Sequence, residues 1–216
     1  MDNTDLIIKL VIGIASGLIG WLLAQVTSLV KDWAKARKIK ALLFEELHDI
    51  DRETERVMMS CARDLQLYGA KGIGKSASVG VSSYIFSNYY KDALLFLNQS
   101  QRISYQLIHS LISGLNEGLD RIKKLTTEIH KHHQKNGTTT ETLILGKEWG
   151  EMIRAEYINS ATIRWHVRYH IDNRRNPDLS LGMENLKNYH EFLADVENEA
   201  NKLIKGGESI DRKSFE

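Results

Sequence analysis

Residues 10–30 contain no charged side chain, and that run constrains the chain more than any other feature of its sequence. Coiled as an α-helix, its 21 residues rise about 31 Å, close to the roughly 30 Å hydrocarbon thickness of a bilayer. Its polar members are Ser16, Gln25, Thr27 and Ser28, three of them near one end. Lys9 precedes the run and Trp33 follows it, where a snorkelling cation and an interfacial aromatic belong. The rival reading, a core helix of a soluble protein, is disfavoured because the run is long for a core. A cleaved secretory signal is disfavoured by the acidic start MDNTD and by the lack of an A-x-A site. The sequence thus predicts an N-terminal tail and transmembrane helix over residues 1–34. Beyond the run, Lys31, Lys35, Arg37, Lys38 and Lys40 outnumber Asp32. The positive-inside rule then puts the C-terminal domain in the cytoplasm and the N-terminus outside. The single cysteine, Cys61, agrees with a reducing compartment for the body.

At 100° per residue, Gly13, Gly17, Gly20, Ala24 and Thr27 fall within about 80° of one another, with Lys9 and Lys31 on the same stripe. Small residues spaced four apart let helices approach closely in lipid. The stripe predicts self-association, and copies arranged around an axis would line a pore with it. The bland alternative is that glycine is simply common in membrane helices.

From Lys35 the spacing of apolar residues is helical. Ile39, Leu43, Leu47, Ile50, Val57, Cys61, Leu65 and Tyr68 recur at three, four or seven residues, so the first body helix continues from the span without a Gly or Pro between them. Its other face is acidic from Glu45 to Glu55 and reads as solvated. A Gly/Ser-rich loop spans residues 69–83. A second helix is expected over 84–135, bent near Asn98, with Ile103, Leu107, Leu111, Leu115, Ile122, Leu125 and Ile129 inward. A third should open on a Thr138/Glu141 capping box and run to residue 172 or 173. Asn176-Pro177-Asp178 breaks the chain, and a fourth opens at Ser180 and Met183 and closes at Gly206-Gly207. One proline and no alternating strand pattern argue against a β protein. The fold class is therefore all-α, with a helical domain of about four long helices over residues 35–207 and a short tail over 208–216.

Residues 69–76, Gly-Ala-Lys-Gly-Ile-Gly-Lys-Ser, spell a phosphate-binding loop, but neither the preceding strand nor a later acidic strand end accompanies them. They read as a mildly basic loop in which Lys71 and Lys75 remain available to a phosphorylated ligand. On the third helix, Arg154, Tyr157, Ile158, Arg164, Trp165, Arg168, Tyr169 and Arg175 share a sector of about 140°. Arginine with aromatic rings suits phosphates and bases, and it equally suits a protein interface. A second basic patch, Arg121, Lys123, Lys124, Lys131 and Lys135, would suit acidic lipid, an acidic partner or the acidic helix of a neighbour. His130, His132 and His133 lack a metal-binding spacing, and His166 with His170 lack a third ligand. No catalytic set stands out. The net charge of +1 marks neither a nucleic-acid nor a membrane protein by itself. No enzyme activity, cofactor or metal is expected.

The span with its Gly13/Gly17/Gly20 stripe and the helical body over residues 35–205 resemble the small single-span membrane effectors of bacterial anti-phage defence, most of all the channel subunits of Hailong systems. The resemblance lies in architecture along the whole chain and rests on no diagnostic motif. It implies a homo-oligomeric ion channel, with four copies as one arrangement, in the bacterial inner membrane. It further implies a nucleotide or short single-stranded DNA regulator made by a partner nucleotidyltransferase. A non-conducting, membrane-anchored adaptor is the alternative.

Overall fold

The computed structural model describes residues 3–75, 78–177 and 183–210. The chain is all-α, as its periodicities predict: α1 (Asn3–Gly69), α2 (Tyr84–Ala93), a 3₁₀ turn (Leu94–Phe96), α3 (Gln99–Asn136), α4 (Thr140–Asp172) and α5 (Met183–Gly207). Helix α1 is uninterrupted over 67 residues, about 100 Å. Its first half stands clear of the rest of the chain, and its first buried residue is Ala36. From there the expected stripe turns inward, and Ile39, Leu43, Leu47, Ile50, Val57, Cys61 and Leu65 are all in the core.

Helices α3 and α4 form an antiparallel hairpin, and α4 lies along the lower half of α1. Trp149, Ile153, Tyr157, Ile163 and Val167 of α4 fill the space between α1 and α3, and the Trp149 indole N–H donates to Thr126 Oγ1 at 3.0 Å. Helix α5 returns beside α1 and α4. At the far end of the bundle Gly69 and Gly207 let α1 and α5 touch backbone to backbone. A Cβ on Gly69 would strike the Ile204 carbonyl, and one on Gly207 would strike that of Gln66.

Three local expectations need correction. The helix expected over 84–135 is divided. Leu97 is extended, and Asn98 starts α3 with a capping box: its side chain accepts the Gln101 N–H at 2.8 Å, and the Gln101 side chain accepts the Asn98 N–H at 3.2 Å. The box of the next helix is Thr139/Thr142 rather than Thr138/Glu141, because Glu141 is drawn away to His132. The inward face of α3 is rotated by one residue before Leu115. Ser104, Tyr105, Ile108 and Ile112 are buried, while Ile103 is exposed and Leu107 and Leu111 are half-buried. The Ser104 hydroxyl pairs with His170 Nδ1 at 2.8 Å, which places polar groups where leucines were expected. Ser180, Asp178, Ser76 and the tail beyond residue 210 lie outside the described residues.

The acidic side of α1 is not merely solvated. Helix α2 has no side-chain cap of its own. Glu46 supplies one from α1, accepting the N–H of Ile85 at 2.6 Å and of Phe86 at 2.9 Å. Glu53 accepts the Ser82 N–H, and the Asn116 amide takes both polar groups of Val81. Side chains thus hold the connection from 80 to 86 in the gap between α1 and α3. We expect Glu46→Ala to leave two part-buried amides unpaired and to lower stability by about 2 kcal/mol. Urea unfolding should show that loss, and hydrogen exchange should quicken first in α2.

Candidate functional site

Each predicted span residue lies on the free half of α1. Lys9, Gly13, Gly17, Gly20, Ala24, Thr27 and Lys31 are exposed, and no neighbouring atom would touch a Cβ placed on any of the three glycines. The helix is long and apolar enough to cross a membrane, with a mean hydropathy of 1.9 over its most apolar window and none of that window buried. Two of its hydroxyls are satisfied within the helix: Thr27 donates to the Leu23 carbonyl at 2.7 Å and Ser16 to that of Gly13 at 2.9 Å. The backbone and these two hydroxyls can therefore sit in hydrocarbon without stranded donors.

Four of the eight residues of the projected arginine–aromatic sector are brought together. Arg164, Trp165, Arg168 and Tyr169 line a groove of about 550 Å³ at the junction of α1, α4 and α5, opposite Asn185 and Phe192. Arg154 is not among the residues that line it, and neither is Arg175, beyond the end of α4, whose carbonyl accepts from Asn98 Nδ2. Tyr157, in the same projected sector, is fully buried.

The guanidinium groups in this groove already have partners. Arg164, with only 13% of its side chain exposed, donates to Asp51 Oδ1 at 3.1 Å and to Glu55 Oε1 at 2.8 Å. Arg168, 57% exposed, also donates to Asp51 at 3.1 Å. Two arginines four apart on α4 thus face two carboxylates four apart on α1. The rings serve packing as well, since Trp165 stacks on Tyr169 at 5.6 Å and meets Tyr189 of α5 at 4.9 Å. An anion can enter only by competing with Asp51 and Glu55.

The loop resembling a phosphate cradle has spent its amides. Lys71 N–H donates to the Tyr68 carbonyl and Gly72 N–H to that of Leu67, a paired closure of α1 with Lys71 in the left-handed region at φ 58°. The Ala70 N–H is held by Gln66. The basic patch of α3, with Lys123, Lys124, Lys131 and Lys135 along a shallow concavity, lies at the end of the bundle away from the span. The patch is thus remote from the free half of α1. His130 meets the Gly74 carbonyl, and His132 meets Glu141 and Thr142. Among the described residues no group of three His, Cys, Asp or Glu side chains is placed to hold a metal.

Sequence reasoning missed a set of buried ionisable groups. Burial raises the pKa of Glu46 and Glu156, and raises that of Asp64 to about 6 against the opposing pull of Arg63. Burial lowers His109 to about 3 and both His166 and His170 to about 4. His109 stands 3.9 Å from Glu46, but at neutral pH it is uncharged, so the contact is not an ion pair. Its ring stacks on Phe86 at 3.7 Å, and neither ring nitrogen has a hydrogen-bond partner. The signal was available in part: Glu46 lies three residues after Leu43 and four before Ile50, on the buried stripe of α1.

No family model, no curated protein and no solved structure matches the chain.

Two outcomes follow. Arg164→Ala and Asp51→Ala should each cost about 1–2 kcal/mol, and the double variant should cost less than their sum, with a coupling near 1 kcal/mol in a double-mutant cycle. His109→Phe should stabilise the protein by about 1 kcal/mol at pH 7, because no ring nitrogen is then left unpaired. Its advantage should widen toward pH 4. Acidification from the ordinary histidine pKa of 6.5 protonates the unfolded parent before the folded one, which lowers the parent's stability. Urea midpoints of both proteins across that range provide the check.

Proposed function

We propose that this chain is a single-span membrane protein that assembles with its own copies and forms a pore controlled by its helical body. The observation that carries the reading is the free half of α1: an apolar helix, exposed on every side and continuous with the body, whose glycine stripe has no partner within the chain. A single span has no second span of its own to pack against, so a copy is the natural occupant of the stripe. Four copies would bring Lys9 and Lys31 around the two ends of the axis and favour anions there.

The location we propose is the bacterial inner membrane, with the N-terminus outside and the helical body in the cytoplasm. The resemblance to single-span anti-phage effectors supports a role in defence, with a nucleotide or short single-stranded DNA as regulator and a nucleotidyltransferase as its source. Such a polyanion would act in the α1–α4–α5 groove by drawing Arg164 and Arg168 away from Asp51 and Glu55. The carboxylates are on the helix that continues into the span, so their release bears directly on the span.

A second reading, a non-conducting anchored adaptor, draws on Leu143 and Ile144, exposed apolar residues at the far end of the bundle. Membrane potential separates the two. Expression of the parent should depolarise bacteria, and Gly17→Leu, which blocks close approach of spans, should abolish both depolarisation and the cross-linked oligomer ladder. An oligomer of unchanged size in the Gly17→Leu protein would remove the stripe from assembly. Intact potential with a cross-linked oligomer would select the adaptor or a pore that is shut.

A further inference from the structure

We propose that the turn between α2 and α3, Leu94–Phe96, is a second membrane contact: an interfacial foot that rests on the anionic headgroup surface beside the span. The inference depends on the reading of residues 10–30 as a span, and the experiment below separates the two.

Leu95 is 92% exposed and Phe96 40%, in a turn held by a capped helix on one side and a packed one on the other. Among the described residues Leu95 is left almost wholly uncovered and Phe96 is covered in part. Their position follows from α2, which runs antiparallel to α1 back toward the span. Glu46 holds the start of α2, Lys35 pairs with Asp92 at 2.7 Å near its end, and the Lys40 ammonium donates to the Phe96 carbonyl at 3.2 Å.

Lys35 and Lys40 follow Val30 by five and ten residues, about 8 and 15 Å along the axis. Side chains on a helix lean toward its N-terminus, so the Lys40 ammonium reaches back toward the membrane. The headgroup layer covers about 5–7 Å of that distance. The turn is therefore set at the membrane–water boundary, where the side chains of Leu95 and Phe96 can enter. Trp33, under the Arg37 guanidinium at 5.4 Å, marks the same level on α1.

The charges around the turn complete the argument. Lys31, Arg37 and Lys38 are exposed on α1 and Lys91 is exposed in the last turn of α2. The segment after α4 adds Arg175, whose carbonyl is tied to Asn98 at the start of α3, while the neighbouring Arg174 guanidinium lies over the Phe44 ring at 3.9 Å. Of the carboxylates at this end among the described residues, Asp92 is paired with Lys35, leaving Asp32 and Asp172. An apolar tip ringed by cations is the composition of an element that sits in an anionic interface.

The test uses the full chain in a Cys61→Ala background. Leu95→Cys, Leu22→Cys in the span and Ile144→Cys at the opposite end each receive an environment-sensitive fluorophore. Each protein is then reconstituted in vesicles of phosphatidylcholine, with and without phosphatidylglycerol, carrying brominated acyl chains. The probe at position 22 should be quenched in both membranes and the probe at 144 in neither. The probe at 95 should be quenched in the phosphatidylglycerol vesicles, and the quenching should weaken with added salt and with Arg37→Glu plus Lys38→Glu. Quenching at 22 while the probe at 95 stays as bright as that at 144 overturns the foot and leaves the span. A probe at 95 shielded from water yet untouched by bromine overturns it in favour of a second copy. Loss of quenching at 22 removes the span and the foot together.

Discussion

One helix of two characters governs this molecule. In its first half α1 presents apolar side chains all round and keeps its backbone hydrogen bonds to itself, an arrangement that a single segment can adopt in hydrocarbon. In its second half it presents one apolar stripe and one acidic face, the arrangement of a helix in a globular core. The change of character occurs between Val30 and Ala36 without a break in the backbone. Three helices are then placed against the second half: α4 through its arginines and its aromatic core, α5 through the Gly69–Gly207 contact, α2 through Glu46 and Lys35, while α3 packs on α4.

Polar side chains do much of the positioning that strands or longer helices would do elsewhere. Glu46, Glu53 and Asn116 hold a connection that has no regular structure of its own, and Glu46 serves as the cap that α2 lacks. The cost is a set of buried ionisable groups of opposite sign. Between pH 6.5 and 4 the neutral histidines weaken the fold as acid is added, whereas Asp64, Glu46 and Glu156 take up protons more readily in the folded chain and strengthen it. The two trends offset each other over the same window.

The parts legible in the sequence were those decided by local pattern. Absence of charge revealed the free apolar helix, and a single unbroken stripe from Ile39 to Leu65 revealed the core face of α1. Pattern failed where long-range pairing decided. Ser104 faces inward because His170 waits on α4, and no periodicity within α3 reports that. The sector holding Arg164 and Arg168 was visible, but its occupants Asp51 and Glu55 lie more than a hundred residues earlier and looked like ordinary solvated acids. The phosphate-loop spelling lacks its strand, and the amides of Ala70, Lys71 and Gly72 within it close the end of α1 through short-range bonds.

The Asp51–Arg164 contact has a consequence in leverage. Gly13 lies 38 residues before Asp51 on the same unbroken rod, about 57 Å away. A tilt of about 5° about that contact would carry Gly13 sideways by about 5 Å, half the 8–10 Å that separates packed helices. Exchanging one ion pair for another in the groove moves atoms by an ångström or two. The length of α1 is the gearing that would turn so small a stroke into a displacement on the scale of helix packing.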